Sequence, residues 1–552
     1  MIRVWGSFIL AAALSYWTVG FVALRVFRDV LRWPFHDADQ AAFVAFLIGT
    51  PLLWPVIWFA GRLLFGGRGG SADAFGSAAF MGPQTVHAMT GGHGLIVGRE
   101  IARNGGLIRY DGEAHLLTVA PTRTGKGTGA IIPNLLTAER SVLCVDPKGE
   151  NARVTARQRR RFGPVWVLDP FGASGVPSAS YNPLDGIDAT SPDVAEDAAT
   201  LAEALVSDPP GQVSDVHWNE EAKALLGGLI LFVATEEPDY RRNLACLREL
   251  LTLAPDAFRD LLKTMQASPA AGGLVARAAN RHLGKSDREA AGVLSSAQRH
   301  THFLDSPRMA AVMERSDFGF AELKQRACTL FLVLPPDRLD AYARWLRLMV
   351  AQGLGALARA PARPGVSPVL FLLDEFAALG RLEAVERAMG LMAGYGMQLW
   401  PILQDLHQLK STYGQRAGTF MSNAGLIQVF NVNDMDTASW VSKALGDTTE
   451  VYSTGSTGHS SKSGDWLGEG TSSEGSAVHL ARRALLTPDE VRRLDPDKAI
   501  LFKAGARPIL ARKVRYHADA EFQGLFEDNT LPVTASASAG NPVPARTLSR
   551  RS

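Results

Sequence analysis

The chain has 552 residues, 46% of them hydrophobic, a formal net charge of +2 and three cysteines. That length suits about three to four domains with an ample core, and the near-neutral balance by itself implies no charged partner. Cys144, Cys246 and Cys328 are widely separated and lack C-x-x-C spacing, which speaks against a disulfide framework or a zinc site and for reduced thiols in a cytosolic body.

Two apolar stretches open the chain, Val4 to Leu24 and Ala41 to Ala60. Each is long enough as a helix to cross a hydrocarbon core of roughly 30 Å, so residues 1–65 are predicted to form a transmembrane hairpin with spans at about 4–24 and 41–60. Trp5, Trp33 and Trp58 near the ends suit the interfacial belts. Basic flanks do not orient the hairpin, because Arg25, Arg28 and Arg32 between the spans balance Arg3, Arg62 and Arg68 outside them. A cytosolic nucleotide site would place both termini in the cytoplasm. Gly66 to Ser71 then reads as a flexible linker.

The apolar run Leu116-Leu117-Thr118-Val119 is followed by Ala120, then Pro121, Thr122, Arg123, Thr124, Gly125, Lys126, Gly127 and Thr128, and then by Ala130-Ile131-Ile132. A strand, a glycine-bearing turn and a helix start in that order make a phosphate loop. Small residues let successive N–H groups face the phosphates, the helix offers its positive end, and Lys126 reaches the outer phosphates. The loop departs from G-x-x-x-x-G-K-[ST] at both ends. Ala120 replaces the leading glycine and Gly127 stands where the Mg2+-binding hydroxyl belongs. Thr128, the nearest hydroxyl, is one residue late for the metal.

Apolar runs recur at Ser141 to Val145, Val165 to Leu168, Leu330 to Leu334, Val369 to Leu373, Leu399 to Leu403, Leu426 to Val429 and Ala499 to Phe502. Most are continuous rather than alternating, as strands buried on both faces are. They predict an α/β fold, a mostly parallel sheet with helices on both sides. Arg157-Gln158-Arg159-Arg160-Arg161 is the densest basic run, suited to a solvated helix face or to phosphates, and no aromatic is interleaved with it. Nearby Trp166 and Phe171 read as core. From about 186 to 326 the rhythm changes to Ala, Leu, Arg and Glu at helical spacing, which predicts an inserted all-helical domain. The nucleotide-binding domain then has two parts, 66–185 and 327–525.

The run Val369 to Leu373 ends in Asp374 and Glu375, the first suited to hold Mg2+ and the second to polarise a water. With the loop around Lys126 they predict an ATP hydrolase. Ser453 to Ser476, dominated by Ser, Gly and Thr, and a tail over 526–552 have little to bury and are predicted to be mobile.

In order, the chain carries the phosphate loop, Ile132-Pro133-Asn134-Leu135-Leu136, Asp146-Pro147-Lys148-Gly149-Glu150, Asp169-Pro170-Phe171, Asn182-Pro183-Leu184, Asp374-Glu375-Phe376, Ile402-Leu403-Gln404-Asp405 and Leu485-Leu486-Thr487-Pro488-Asp489-Glu490. With this series it resembles the coupling proteins of type IV secretion systems, specifically the TraG-like conjugal DNA transfer ATPases. The resemblance implies a RecA-like P-loop motor with bound ATP and Mg2+, anchored in the bacterial inner membrane. It further implies a homohexameric ring that receives a relaxase–DNA complex and passes it to the secretion channel. Under it Asp374 holds Mg2+, Glu375 activates water and Gln404 senses the outer phosphate. Some relatives carry an arginine shortly before that Gln segment, where this chain has Ala393-Gly394-Tyr395-Gly396. Arg338 and Arg347 are the remaining candidates for a trans-acting finger. A coupling protein for effector proteins would share every motif, and a nucleotide-switched membrane receptor with little hydrolysis is the reading from a different class.

Overall fold

In a computed structural model of the protein, the described residues are 25, 73, 75–102, 105–206, 216–361, 365–460 and 471–529. The predicted spans at 4–24 and 41–60 lie outside them, as does the tail from 530 onward. No helix among the described residues is long and apolar enough to cross a membrane. The chain divides into two units, 79–445 with 485–552, and 1–78 with 446–484.

Thirteen strands are described in chain order: β1 (Leu95–Arg99), β2 (Leu107–Tyr110), β3 (His115–Val119), β4 (Val142–Asp146), β5 (Val165–Leu168), β6 (Thr329–Val333), β7 (Val369–Leu373), β8 (Met397–Leu403), β9 (Ala424–Phe430), β10 (Asp447–Ser460), β11 (Thr471–Ala484), β12 (Lys498–Lys503) and β13 (Ile509–Arg512). The larger unit is built on an eleven-stranded sheet in the order β2-β1-β13-β12-β9-β3-β8-β7-β4-β6-β5. Seven strands, β9 through β5 in that order, are mutually parallel. The other four extend one edge antiparallel. β3, β4, β6, β7 and β8 are buried along their whole length, which is why their sequences are mostly apolar rather than alternating.

Three polar groups inside the sheet are linked in series. Trp400 Nε1 donates to Thr118 Oγ1 at 2.8 Å, Thr118 Oγ1 donates to Gln428 Oε1 at 2.8 Å, and Gln428 Nε2 donates to the Val97 carbonyl at 2.7 Å. A buried polar group left without a partner would cost about 1–3 kcal/mol, so this chain also fixes which strands are neighbours.

Between β5 and β6 the described chain is helical, with principal helices at Val194–Leu205, Val216–Glu236, Leu244–Leu251, Pro255–Gln266, Ala270–Leu283 and Asp287–Thr301. Side chains at the ends of helices set two of the starts: Asn243 accepts from the Cys246 N–H and Ser286 from the Glu289 N–H. Val216–Glu236 is the central helix, buried at Leu225, Leu226 and from Leu229 to Ala234. Gly228 lets the helix at 270–283 come close, since a Cβ there would lie 2.3 Å from the Ala278 Cβ.

In the smaller unit, β10 and β11 pair antiparallel from Asp447 opposite Ala484 to Ser460 opposite Thr471. The Ala78 N–H donates to the Asp447 carbonyl at 3.0 Å, and Arg482 forms an ion pair with Asp447. Within 453–476, where the sequence suggested a mobile segment, the described residues are extended and paired strand against strand. Small apolar content signals little burial, but Thr and Ser still accept extended backbone. The chain also stays packed past 525, where a disordered tail was expected: the Glu527 N–H donates to the Val154 carbonyl at 2.9 Å and Asn529 Nδ2 to Glu150 at 2.8 Å.

Candidate nucleotide-binding and hydrolysis site

β3 sits in the parallel block between β8 and β9, and its carboxyl end opens into the glycine turn. The Ala120 N–H donates to the Leu403 carbonyl at 2.8 Å, fixing the start of the turn to the end of β8. Thr124 Oγ1 donates to the Pro121 carbonyl at 2.7 Å. Gly125 has φ +92°, a conformation in which a side chain would be strained. A wide π-type turn over Gly127–Ile131 leads into the helix Ile132–Thr137, a helical irregularity often found at functional sites. Asn134 ties that helix to β1, its Oδ1 accepting from the Ile96 N–H at 2.7 Å and its Nδ2 donating to the Ile96 carbonyl at 2.8 Å. The Ile132-Pro133-Asn134 motif thus holds the loop's helix in place.

β7 ends beside this turn. Lys126 Nζ lies 3.1 Å from Asp374 Oδ1 and forms a shorter contact with Glu375 Oε1. Gln404, just beyond β8, donates from Nε2 to Glu375 Oε2 at 3.0 Å. Residues some 250 to 280 positions apart in sequence therefore share one half-buried cluster at the carboxyl edge of the sheet, where ligands bind in open α/β folds. Burial pushes the Asp374 carboxyl up, against the pull of Lys126. Glu375 also feels burial, but its bonds with Lys126 and Gln404 outweigh it and hold the carboxyl below its ordinary range. Lys126 in turn is raised, because the two carboxylates overcome its desolvation.

Glu375 adopts a left-handed backbone, φ 49° and ψ 42°, which is costly for a residue with a side chain. The segment that follows holds it there. Phe376 is fully buried and stacks on Tyr413 with ring centroids 5.8 Å apart. Tyr413 accepts from the Leu382 N–H at 3.2 Å, and Arg347 Nη1 donates to the Leu379 carbonyl at 2.8 Å. Asp405 caps the next helix by accepting from the Gln408 N–H, steadying the turn that carries Gln404.

The charge pattern fits a magnesium-bound triphosphate. Two carboxylates on one wall need a cation, and an ammonium and loop amides on the other need an anion. Lys126 and the two carboxylates satisfy each other in the structure. Thr128 is placed elsewhere: its hydroxyl donates to the Gly125 carbonyl at 3.3 Å and lines a cavity on the β9 side of the loop. At Gly127 nothing lies within 4 Å of where a Cβ would be, so a serine or threonine would fit where the chain has none.

Several residues singled out from sequence have structural duties. Arg159 is fully buried and donates to Thr329 Oγ1 and to the carbonyls of Leu135, Ala138 and Arg140. That corrects the reading of a solvated or phosphate-tracking basic face at this residue, while Arg157 pairs with Glu527. Trp166 stacks on Phe318 and Phe171 packs against Tyr342. Arg347 is turned inward onto its own chain, whereas Arg338 is 53% exposed and pairs with the adjacent Asp337. Two neighbours of the site were missed in the sequence. Asp146, at the end of β4, is buried beside Asp374. Lys513 donates from Nζ to the Thr124 carbonyl of the loop at 2.6 Å. A carboxylate closing an apolar run was the available signal for Asp146; Lys513 follows Arg512 and had no such signal.

Residues 84–540 match the family model described as type IV secretory system conjugative DNA transfer. The chain belongs to this family. Among its fellow coupling proteins, it is 30% identical over 448 residues to the conjugal transfer protein TraG of Escherichia coli, a match covering 75% of this chain and 69% of that protein. It is 30% identical over 426 residues to the protein VirD4 of Rhizobium radiobacter, covering 75% of this chain and 59% of that relative. In fold, this conjugative-transfer family member is similar to the plasmid coupling protein TrwB in complex with the ATP analogue ADPNP. There the TM-score is 0.58 at 18% identity, over 79% of this chain and 93% of the other. TrwB in complex with ADP and Mg2+ gives 0.57 at 17% identity, with the same coverage.

Proposed function

We propose that this protein is a coupling ATPase of conjugation, which receives a relaxase–DNA complex at the inner membrane and drives it into a type IV secretion channel by ATP hydrolysis. Family membership supports the transfer role. The observation that carries the hydrolytic part is the 3.1 Å approach of Lys126 to Asp374 with Glu375 and Gln404 in the same cluster. Lys126 and the amides of the loop bind the β- and γ-phosphates. Asp374 would hold Mg2+, which would supply positive charge to offset that of the phosphates. Glu375, kept ionised by its partners, accepts a proton from the attacking water. Gln404 bonds to the Glu375 carboxylate and so registers the outer phosphate against the base.

In this proposal the spans at 4–24 and 41–60 anchor the chain with both termini in the cytoplasm. The subunits form a homohexamer, with Arg338 offered to the neighbouring site. Its position at the start of the helix Pro336–Arg359, directly after β6, suits such a finger.

The test uses full-length protein with Lys126→Ala and Glu375→Gln, scored by ATP binding, turnover and mating. Lys126→Ala should lose nucleotide binding, whereas Glu375→Gln should keep ATP bound and lose about 10²–10⁴-fold in turnover. Wild-type turnover persisting in Glu375→Gln sinks the assignment. Effector export that depends on Lys126 while mating does not would move the substrate from DNA to protein.

A further inference from the structure

The turn between the helix Glu383–Leu391 and β8 is pinned at both ends and exposed in the middle. Buried His115 of β3 holds the helix. Its Nε2 lies 3.1 Å from the Ala388 carbonyl, and its Nδ1 accepts from the Leu399 N–H at 3.1 Å. An imidazole that accepts at Nδ1 is neutral and donates from Nε2, in keeping with burial, which pushes its pKa down. At the other end the Val369 N–H donates to the Gly396 carbonyl at 2.9 Å, and Gly396 turns the chain with φ 68°. Between these anchors Leu391 is 71% and Tyr395 50% exposed. Two large apolar side chains held out of the core on one fixed turn call for a partner.

The surroundings say which partner. Arg387 lies one helical turn before Leu391 and on the same face; it is exposed, and no ion pair occupies it among the described residues. Arg381 and Arg416 flank the helix by reaching Glu386, at 3.6 and 2.6 Å, and Arg381 also lies 3.8 Å from Glu383. Three guanidinium groups against two carboxylates leave this face positive. At Gly390 and Gly394 nothing lies within 4 Å of where a Cβ would be, so a strand can come close to the backbone. An exposed tyrosine ring with a free guanidinium nearby suits single-stranded nucleic acid, whose bases stack on the ring while the cation meets a phosphate. The carbonyl end of the helix disfavours phosphate at the turn itself, which leaves the turn to the bases and the phosphate to Arg387. A second copy of the chain would cover Leu391 and Tyr395 without using Arg387.

We propose that Leu391, Tyr395 and Arg387 form a grip for a single DNA strand, with bases against Tyr395 and Leu391 and a phosphate on Arg387. The proposal rests on the reading of DNA as the transported partner. It concerns a surface apart from the nucleotide site: the seven residues of β8 separate Gly396 from Gln404, roughly 23 Å of strand. The segment that carries the grip begins at Glu375, so one short helix joins it to the reacting cluster.

Equilibrium binding of a fluorescent oligothymidylate, and of a duplex of the same length, to the full-length protein over a range of salt concentrations tests this, together with sedimentation of the protein without DNA. Tyr395→Ala should weaken the single strand about tenfold at an unchanged salt slope, Tyr395→Phe should bind as the wild type does, and duplex affinity should stay within twofold in both. Arg387→Gln should weaken the single strand severalfold and flatten the slope of log affinity against log salt by about 0.7. Sedimentation should match the wild type in all three variants. Single-strand binding within twofold of the wild type in Tyr395→Ala or in Arg387→Gln overturns the grip and leaves DNA as the partner. Lost self-association of Tyr395→Ala without DNA also overturns it and gives the surface to a second copy of the chain. If the wild-type protein binds neither single strand nor duplex at any salt concentration, the DNA reading falls and this proposal with it.

Discussion

Asp146 and Asp374 close neighbouring parallel strands, each one residue beyond the Val145–Leu373 pair. Burial pushes the Asp146 carboxyl up to about 7; amides of Ala152, Asn151 and Lys148 oppose the shift and the charge of Asp374 adds to it. An unfolded aspartate titrates near 3.8. Between those values the folded chain holds a proton that the unfolded chain has lost. The stabilising contribution of Asp146 is therefore complete below about pH 4 and disappears as pH rises through about 7. Subtracting the urea-unfolding profile of Asp146→Asn from that of the wild type should reveal a fall on the order of a few kcal/mol across this window. A flat difference would mean that Asp146 is ionised throughout.

Gly127 is the loop's departure with the clearest consequence. It lies at the start of a helical turn with open space around its missing Cβ, so Gly127→Ser should fold normally and gain about 0.5–1 kcal/mol from the loss of glycine's unfolded-state freedom. The new hydroxyl stands where a magnesium ligand belongs in P-loop proteins, a place Thr128 does not fill. The Mg2+ concentration giving half-maximal ATP turnover should fall in this variant. If turnover responds to Mg2+ as in the wild type, the metal does not approach this side of the loop.

The parallel core and the acidic strand end were legible because both rest on local patterns. Val369 to Leu373 is buried on two faces, so its sequence is apolar without interruption, and Asp374 marks its exit from the core. β1, β2 and β13 escaped notice because they lie in the antiparallel edge region and carry Arg99, Arg109 and Arg512. The β10–β11 hairpin was hidden by its composition, since Ser, Thr and Gly mark turns as readily as strands. Lys513 was hidden for another reason. Its partners Thr124 and Asn431 lie 389 and 82 residues away, and only the folded sheet order brings them together.

The two arginines considered as fingers should separate by stability and by turnover. Arg347 lies within its own chain, pushed down by burial and bonded to the Leu379 carbonyl that follows the strained Glu375 turn. Arg347→Ala should cost about 1–3 kcal/mol and lower kcat more than it raises KM, because it loosens the base rather than the phosphate cradle. Arg338→Ala removes an exposed side chain and should leave stability within about 0.5 kcal/mol, while lowering turnover in the assembled ring by about 10³-fold or more if it reaches the neighbouring site. Full activity of Arg338→Ala in assembled protein would remove it as the finger.

Arg159 gives the sharpest contrast between sequence appearance and structural duty. It sits in the most basic run of the chain, yet its guanidinium satisfies three carbonyls at the end of the loop's helix and the connection to β4, and one hydroxyl on β6. Burial holds its pKa down to about 10, so the charge persists at neutral pH. Arg159→Leu would strand those acceptors and should destabilise the protein by about 3–5 kcal/mol. Arg160 and Arg161 have no such load, and Arg161 is exposed, so reversing it to Glu should leave the melting temperature unchanged. If DNA were held by this run, Arg161→Glu would weaken DNA binding severalfold with a smaller salt dependence. Because the run's central arginine is spent on the core, the expected result is DNA affinity within twofold of the wild type for Arg161→Glu, and a loss of folded protein for Arg159→Leu, measured by DNA binding at two salt concentrations and by thermal unfolding.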